Sequence, residues 1–299
     1  MASRLKRLFG VHAPIHGSYD YKSFIELSFM ADELGFDYLT VGDHFFLPSE
    51  TYAKIGGDPS RPDKLDAWST LSALAAKTKT IRIGTRVSPV PFYLPSRLAK
   101  IVATVDIISG GRVILGVGAG WYKDEAVAYG VEWGSHRERM EKMLEGLEII
   151  LSLWTNEKTT FKGKYYQVLE APFWPKPLQK PHPQIWFGGS SDAIIDAAAK
   201  YGDGIFPLTN TPIEKLVDIS QRLRKAERRH RREKKVMLAP AISYPSGIGE
   251  KSEWASKIEN YIKIGANLIL IDFTMEYAPL NEARSFLKEF AEEVLPSFR

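Results

Sequence analysis

Ser109-Gly110-Gly111-Arg112-Val113-Ile114-Leu115-Gly116-Val117-Gly118-Ala119-Gly120-Trp121 is a glycine turn, a short apolar strand and a second glycine cluster ending on an aromatic residue. Small residues at the C-terminal end of a strand let a ligand approach the backbone closely. The spacing is not that of a dinucleotide fingerprint. Gly116, Gly118 and Gly120 give G-x-G-x-G rather than G-x-G-x-x-G, and the first two lie inside the apolar run. Two readings remain for this stretch alone: a strand that presents a ligand site at its end, or a strand that ends in a plain turn.

Outward from it the same alternation repeats. Apolar stretches at 8–12, 38–41, 82–88 and 113–117 predict strands, separated by amphipathic helical segments at 21–34, 66–77 and 96–108. A long loop, 46–64, rich in Gly, Pro and Asp, precedes the second of these helices. Beyond 121 come a helix at 140–154, an irregular segment at 155–183 with five prolines and a hairpin candidate, and a strand at 184–187. Helix 192–201 follows, then strands at 204–208, 236–244 and 268–273, each with a helix after it, at 212–232, 253–264 and 280–294. Eight strand–helix units in 299 residues predict one α/β domain over 1–299, a (β/α)8 TIM barrel with an insertion after the fourth helix. A doubly wound open sheet is the alternative.

Composition bounds the function. Apolar residues make up 44% of the chain, yet no run approaches the ~20 residues that span a bilayer, and the N-terminus lacks an apolar leader. With no cysteine there are no disulfides and no thiolate metal sites, so a cytoplasmic address without a membrane partner is expected. The net charge of +4 is uneven: 222–235 carries a surplus of seven positive charges, including Arg228-Arg229-His230-Arg231-Arg232. No aromatic residue interleaves this run to stack on bases, which favours the solvated end of a surface helix over a nucleic-acid site.

In a barrel, chemistry sits at the C-terminal strand ends. Those ends carry His12 and His16, Asp43-His44-Phe45, Ser88-Pro89-Val90, Gly118-Ala119-Gly120-Trp121, Gly188-Gly189-Ser190-Ser191, Phe206, Tyr244 and Asp272-Phe273-Thr274. Aromatic and small residues with few titratable groups suit a flat conjugated cofactor. Gly188-Gly189-Ser190-Ser191-Asp192 opens a helix and is the best phosphate candidate, although Ser191 or Asp192 can equally be an ordinary N-cap. His44 can act as general acid or base, or be a structural histidine.

Taken together, these segments resemble the bacterial luciferase-like superfamily of flavin- and deazaflavin-dependent oxidoreductases. The carriers are 31–37 leading to Gly42-Asp43-His44-Phe45, Ile83-Gly84-Thr85, and the 109–121 stretch with Glu125 and Gly130 beyond it. They continue through Arg137 to Trp154, 161–166, and Lys180-Pro181-His182-Pro183-Gln184-Ile185-Trp186-Phe187-Gly188-Gly189. The branch most resembled is that of the coenzyme F420-dependent enzymes, such as methylenetetrahydromethanopterin reductase. The resemblance implies that His44 is catalytic, moving a proton beside the deazaflavin. It implies cofactor contacts from Asp43, Val87, Ser88, Gly118, Ala119, Gly120, Trp121, Asp124, Gly188, Gly189, Ser190 and Ser191, with no metal. It also implies a non-proline cis peptide near Arg86-Val87-Ser88 and a homodimer. Two departures stand out. The sugar-phosphate and alcohol dehydrogenases of that branch have a tryptophan soon after the histidine and a glutamate after the Ala-Gly pair, where this chain has the Phe46-Leu47-Pro48 stretch and Trp121. Their alcohol oxidation is therefore not carried over.

The expected activity is hydride transfer between F420 and a small organic substrate, with 46–64 and 155–183 as walls or lid. FMN with molecular oxygen, in a monooxygenase, is the alternative. A metal-dependent hydrolase using His12, His16, His44 and Asp272 is a remote one, and a non-catalytic ligand-binding member of the fold another.

Overall fold

A computed structural model describes residues 7–17, 19–61 and 63–299. A ten-stranded sheet forms the centre, and every pairing within it is parallel. Its strands are β1 (Leu8–His12), β2 (Tyr38–Val41), β3 (Arg82–Thr85), β4 (Ser88–Pro89) and β5 (Val113–Gly118). A separate antiparallel hairpin, β6 (Lys158–Lys162) and β7 (Gln167–Pro172), interrupts the series. The sheet continues with β8 (Gln184–Gly188), β9 (Gly204–Phe206), β10 (Met237–Leu238), β11 (Ala241–Ser243) and β12 (Leu268–Asp272). The order is β10-β9-β8-β5-β3-β2-β1-β12-β11, with β4 paired to β5.

The two ends of that order, β10 and β11, are separated by only Ala239 and Pro240. The first half of the stretch pairs with β9 and the second with β12, so the curled sheet meets itself in one segment. The Leu238 carbonyl also accepts from Asn267 N–H, across the same seam. Proline has no N–H to give to a ladder, and Pro240 sits where the pairing changes sides. The expected strand at 236–244 is thus two pieces. The strand expected at 82–88 is broken as well, at a cis peptide between Arg86 and Val87, which is where the resemblance put one.

Helices α1 (Tyr21–Glu33), α3 (Ala67–Lys77), α4 (Pro95–Ile108), α6 (His136–Thr155), α7 (Asp192–Tyr201), α8 (Ile213–Arg229), α9 (Trp254–Lys263) and α10 (Leu280–Glu293) cover the sheet's outer face. Short helices α2 (Ser49–Lys54), α5 (Lys123–Ala128) and α11 (Leu295–Phe298) complete the set. The α1 and α3 termini follow from Asp20 and Asp66, whose carboxylates accept from Ser23 and Ser69 N–H groups. A full capping box, Ser135 with Glu138, starts α6 four residues before the expected 140. The helix expected at 212–232 stops at Arg229, just before a positive φ at Arg231. The loop expected at 46–64 contains α2, and its Pro62 lies outside the described residues.

Two cores result. The larger lies between sheet and helices. The smaller fills the inside of the curled sheet with Tyr38, Ile114, Trp186, Phe206, Leu268 and Leu270, and in it the rings of Trp186 and Phe206 stack at 4.6 Å. This inner layer closes off the centre and leaves the C-terminal strand ends as the floor of a site. No helix among the described residues is long and apolar enough to cross a membrane.

Candidate active site

A cavity of about 590 Å³ opens over the C-terminal ends of the sheet strands. From the expected set it is lined by His44, Val87, Gly118, Ala119, Gly120, Trp121, Gly188, Gly189, Ser190 and Ser191. Four strand ends far apart in sequence meet here because the parallel sheet aligns them. Val87 projects between two of them. A Cβ at Gly118 would fall 2.6 Å from the Val87 side chain and one at Gly188 2.8 Å from it, so both positions need glycine for the backbone to pass. The result is a smooth, mostly apolar wall. Gly189, at φ +107°, turns the chain from β8 toward α7.

His44 is oriented from both sides. Its Nδ1 lies 2.7 Å from Glu125 Oε2, and the Trp121 indole N–H donates to its Nε2 at 3.4 Å. That pattern puts the ring proton on Nδ1, facing the carboxylate, and leaves a lone pair on Nε2 at the cavity. Glu125 is 1% exposed and also accepts from the Phe45 N–H, so its two oxygens hold two consecutive residues. Sequence reading gave Glu125 no role in the site, because the one-and-a-half turns of α5 that aim it carry no legible periodicity.

Three expected contacts are placed elsewhere. Asp43 is buried below the cavity wall and accepts from Ser88 Oγ and from the Tyr93 hydroxyl at 2.8 Å. Burial pushes its carboxyl above the usual range, against those two donors. Ser88 is buried with it and takes the Trp68 indole N–H at 3.1 Å. The pair ties the end of β2 to β4. Asp124 is exposed on α5 and outside the cavity lining.

The floor holds His12 and Asp272, which the remote hydrolase reading grouped, around Arg86, which no expectation placed there. Arg86 donates to Asp272 at 3.1 Å, to the Pro207 carbonyl and Thr209 Oγ1 at 3.0 Å each, while its buried Nε has no partner among the described residues. Burial lowers the Arg86 pKa, and Asp272 opposes that. Burial pushes Asp272 up, but His12, Arg86, Thr209 and Thr274 hold it below the usual carboxylate range. His12, opposite Asp272 in the β1–β12 register, bonds Thr40 through Nδ1 and is brought down by burial to about 4. A charged side chain inside the otherwise uncharged 83–88 run was the available signal for Arg86. His16 lies outside the cavity lining, and its buried Nδ1 has no partner among the described residues. Among the described residues, no three His, Cys, Asp or Glu side chains are grouped to hold a metal ion.

At the other end of the wall, Ser191 is the N-cap of α7, its hydroxyl accepting from Ile194 N–H at 3.3 Å. Arg222 donates to the Ser190 carbonyl at 3.0 Å and to Asp192 at 2.7 Å, so a cation stands beside this helix start. An aromatic rim adjoins His44 and Trp121 on one side of the mouth: Phe45 stacks on Tyr129 at 4.1 Å and Trp121 on Tyr122 at 5.4 Å.

The chain is similar to an F420-dependent glucose-6-phosphate dehydrogenase of Amycolatopsis mediterranei, 34% identical over 66% of this chain and 56% of that protein. It is 32% identical to an FMNH2-dependent dimethylsulfone monooxygenase of Pseudomonas putida, over 65% of this chain and 50% of that protein. The chain thus matches about half the length of these curated relatives. A monooxygenase structure from Streptomyces bottropensis shares the fold, with a TM-score of 0.81 at 23% identity over 98% of this chain and all of that one. The luciferase-like monooxygenase family profile matches residues 7–294. The chain belongs to the luciferase-like monooxygenase family.

Proposed function

We propose that the protein is an F420-dependent oxidoreductase built on a (β/α)8 barrel, with the β6–β7 hairpin as an insertion after the fourth barrel helix. The observation that carries this is the His44 ring, locked from behind by Glu125 at Nδ1. Its Nε2 faces the cavity beside a wall of glycines and Val87 and is bonded there, among the described residues, only by the long Trp121 indole contact. The wall fits a flat ring: it is smooth because Gly118 and Gly188 leave room for Val87, and a Cβ at either would fill it. When bound, F420 supplies hydride chemistry; the protein supplies orientation, water exclusion and a proton site. His44 holds and releases a proton at Nε2. Val87 and Gly118 hold the ring's face, while Ser190, Ser191 and Arg222 hold the phosphate-bearing tail near the α7 start. Asp43 and Ser88 act beneath, by fixing β4 and with it Val87. The substrate is a small organic molecule entering over the aromatic rim.

The second reading, an FMN-dependent monooxygenase, is favoured by the named activity of the Pseudomonas putida relative. Fluorescence-quenching titrations with F420 and with FMN at matched ionic strength separate the two. Tighter F420 binding supports hydride transfer; tighter FMN binding overturns it and makes molecular oxygen the co-substrate. A homodimer in the cytoplasm remains part of the proposal, checked by light scattering of the purified protein and fractionation of its host.

A further inference from the structure

At the opposite pole lies a second cavity, also of about 590 Å³, over the N-terminal ends of the strands. Arg82 and Gln184, the first residues of β3 and β8, line it, as do Asp203 and Lys234, just ahead of β9 and β10. Five cations face it: Arg82, Lys180, Lys200, Arg232 and Lys234. A single carboxylate, Asp203, is among the lining residues, and it pairs with Lys234 at 2.8 Å.

What three of the others bond is uncharged. Arg82 donates to the Gln179 amide oxygen at 3.1 Å, and Lys180 to the Pro177 carbonyl at 3.3 Å. Arg232 is spread over the carbonyls of Lys234 (2.8 Å), Ala199 (3.3 Å), Lys200 (3.4 Å) and Gly202, closing the C-terminal end of α7. Lys200 lies over the Tyr201 ring at 4.6 Å, and the more distant Glu148 and Asp196 carboxylates act on it as well. Neutral acceptors orient Arg82 and Lys180 without cancelling their charge, while the negative end of α7 offsets that of Arg232 only in part. Concave, like-charged surfaces focus potential and concentrate counter-ions. The basic run of the sequence divides here. Arg229 and His230 turn to Asp196, while Arg232 and, just beyond it, Lys234 face the groove.

We propose that this groove is a binding site for a small polyanion, a molecule carrying two or more clustered phosphate groups. Its volume is that of a small-molecule site, and a guanidinium with fixed orientation beside mobile ammonium groups suits phosphate oxygens. The site is separate from the phosphate-tail position at Ser190 and Ser191, which lies at the other ends of the strands.

Calorimetric titration of the full chain with inorganic tripolyphosphate at low ionic strength tests it. One saturable site is expected. The double variant Lys180→Gln/Lys200→Gln, in exposed side chains, should weaken it by about tenfold or more while leaving the melting curve unchanged. Ser190→Ala/Ser191→Ala, at the other pole, and Arg228→Gln/Arg231→Gln, exposed in the same basic run but outside the groove, should leave it within about twofold. Absence of a saturable site overturns the proposal. So does loss of binding in the serine variant, or a loss in the arginine variant equal to that in the lysine variant, which would mean diffuse surface charge. A short single-stranded RNA that binds through the groove lysines more tightly than tripolyphosphate would mean an extended polyanion and overturn it too.

Discussion

The His44 ring is held by Glu125 at Nδ1, while its Nε2 accepts from the Trp121 indole at 3.4 Å and faces the cavity. His44→Ala should lower kcat by about 10²–10⁴-fold, the range of general acid–base catalysis, with F420 affinity nearly unchanged. Steady-state kinetics alongside a binding titration reads both, and unaltered turnover removes the role. Glu125→Gln keeps the size and loses the charge that selects the tautomer, so kcat should fall by at least about tenfold while KM changes little. His12 makes a different prediction, about stability. Its pKa is brought from 6.5 to about 4 by burial. Above pH 6.5 the ring is neutral in both folded and unfolded chains. As the pH falls, the unfolded chain takes up a proton that the folded site refuses until about pH 4, so stability is lost across that window. The loss is roughly 3 kcal/mol when complete. Melting temperatures of His12→Gln measured from pH 7 to 4 should decline less steeply than those of the unaltered chain; identical slopes would contradict the assignment.

Single elements decide how these residues meet. Val87 is stiff at χ1 and sits where Gly118 and Gly188 make room, so Gly188→Ala forces Val87 or β8 aside. The expected cost is about 1–3 kcal/mol of stability, together with weaker cofactor binding, seen by thermal melts and the same titration. Loss of stability alone would deny Val87 its part in the wall. Regular elements were legible in the sequence because hydrophobic period and caps agree, as in β1, β2 and α7, where expected and observed ends coincide. The breaks in the third and seventh sheet segments were legible to different degrees. The resemblance carried the Arg86–Val87 break, whereas the change of pairing partners at Ala239 and Pro240 leaves no trace in apolar periodicity. Short α2 and α5 bury few side chains, so they write no period. The site divides likewise. Strand-end residues facing the cavity were readable from topology, but Glu125 and the Arg86–Asp272 pair depend on side-chain direction. Asp43 and Ser88 stand at strand ends too, yet they bond Tyr93 and Trp68 in the packing beneath and do not line the cavity.

On the scale of the whole molecule, one set of parallel strands carries a mostly apolar cavity at one pole and a cationic groove at the other. Ligand at the first should stabilise the entire sheet, because its wall is made from strands spread along the chain. At a hundred times its dissociation constant F420 contributes about 2.7 kcal/mol. The midpoint of a cooperative melt should rise accordingly, and more than with FMN at equal concentration. Equal shifts from the two would count against the cofactor preference. The seam at Ala239 and Pro240 has a consequence of its own. Since 237–243 hydrogen-bonds to both β9 and β12, the curled sheet leaves no row of unsatisfied backbone groups along those two strands. A truncated chain that ends before 237 would bare the flank of β9, an open template for strand addition. Such fragments should aggregate edge to edge as β-structure, whereas in the intact chain β9 and β12 offer no such edge.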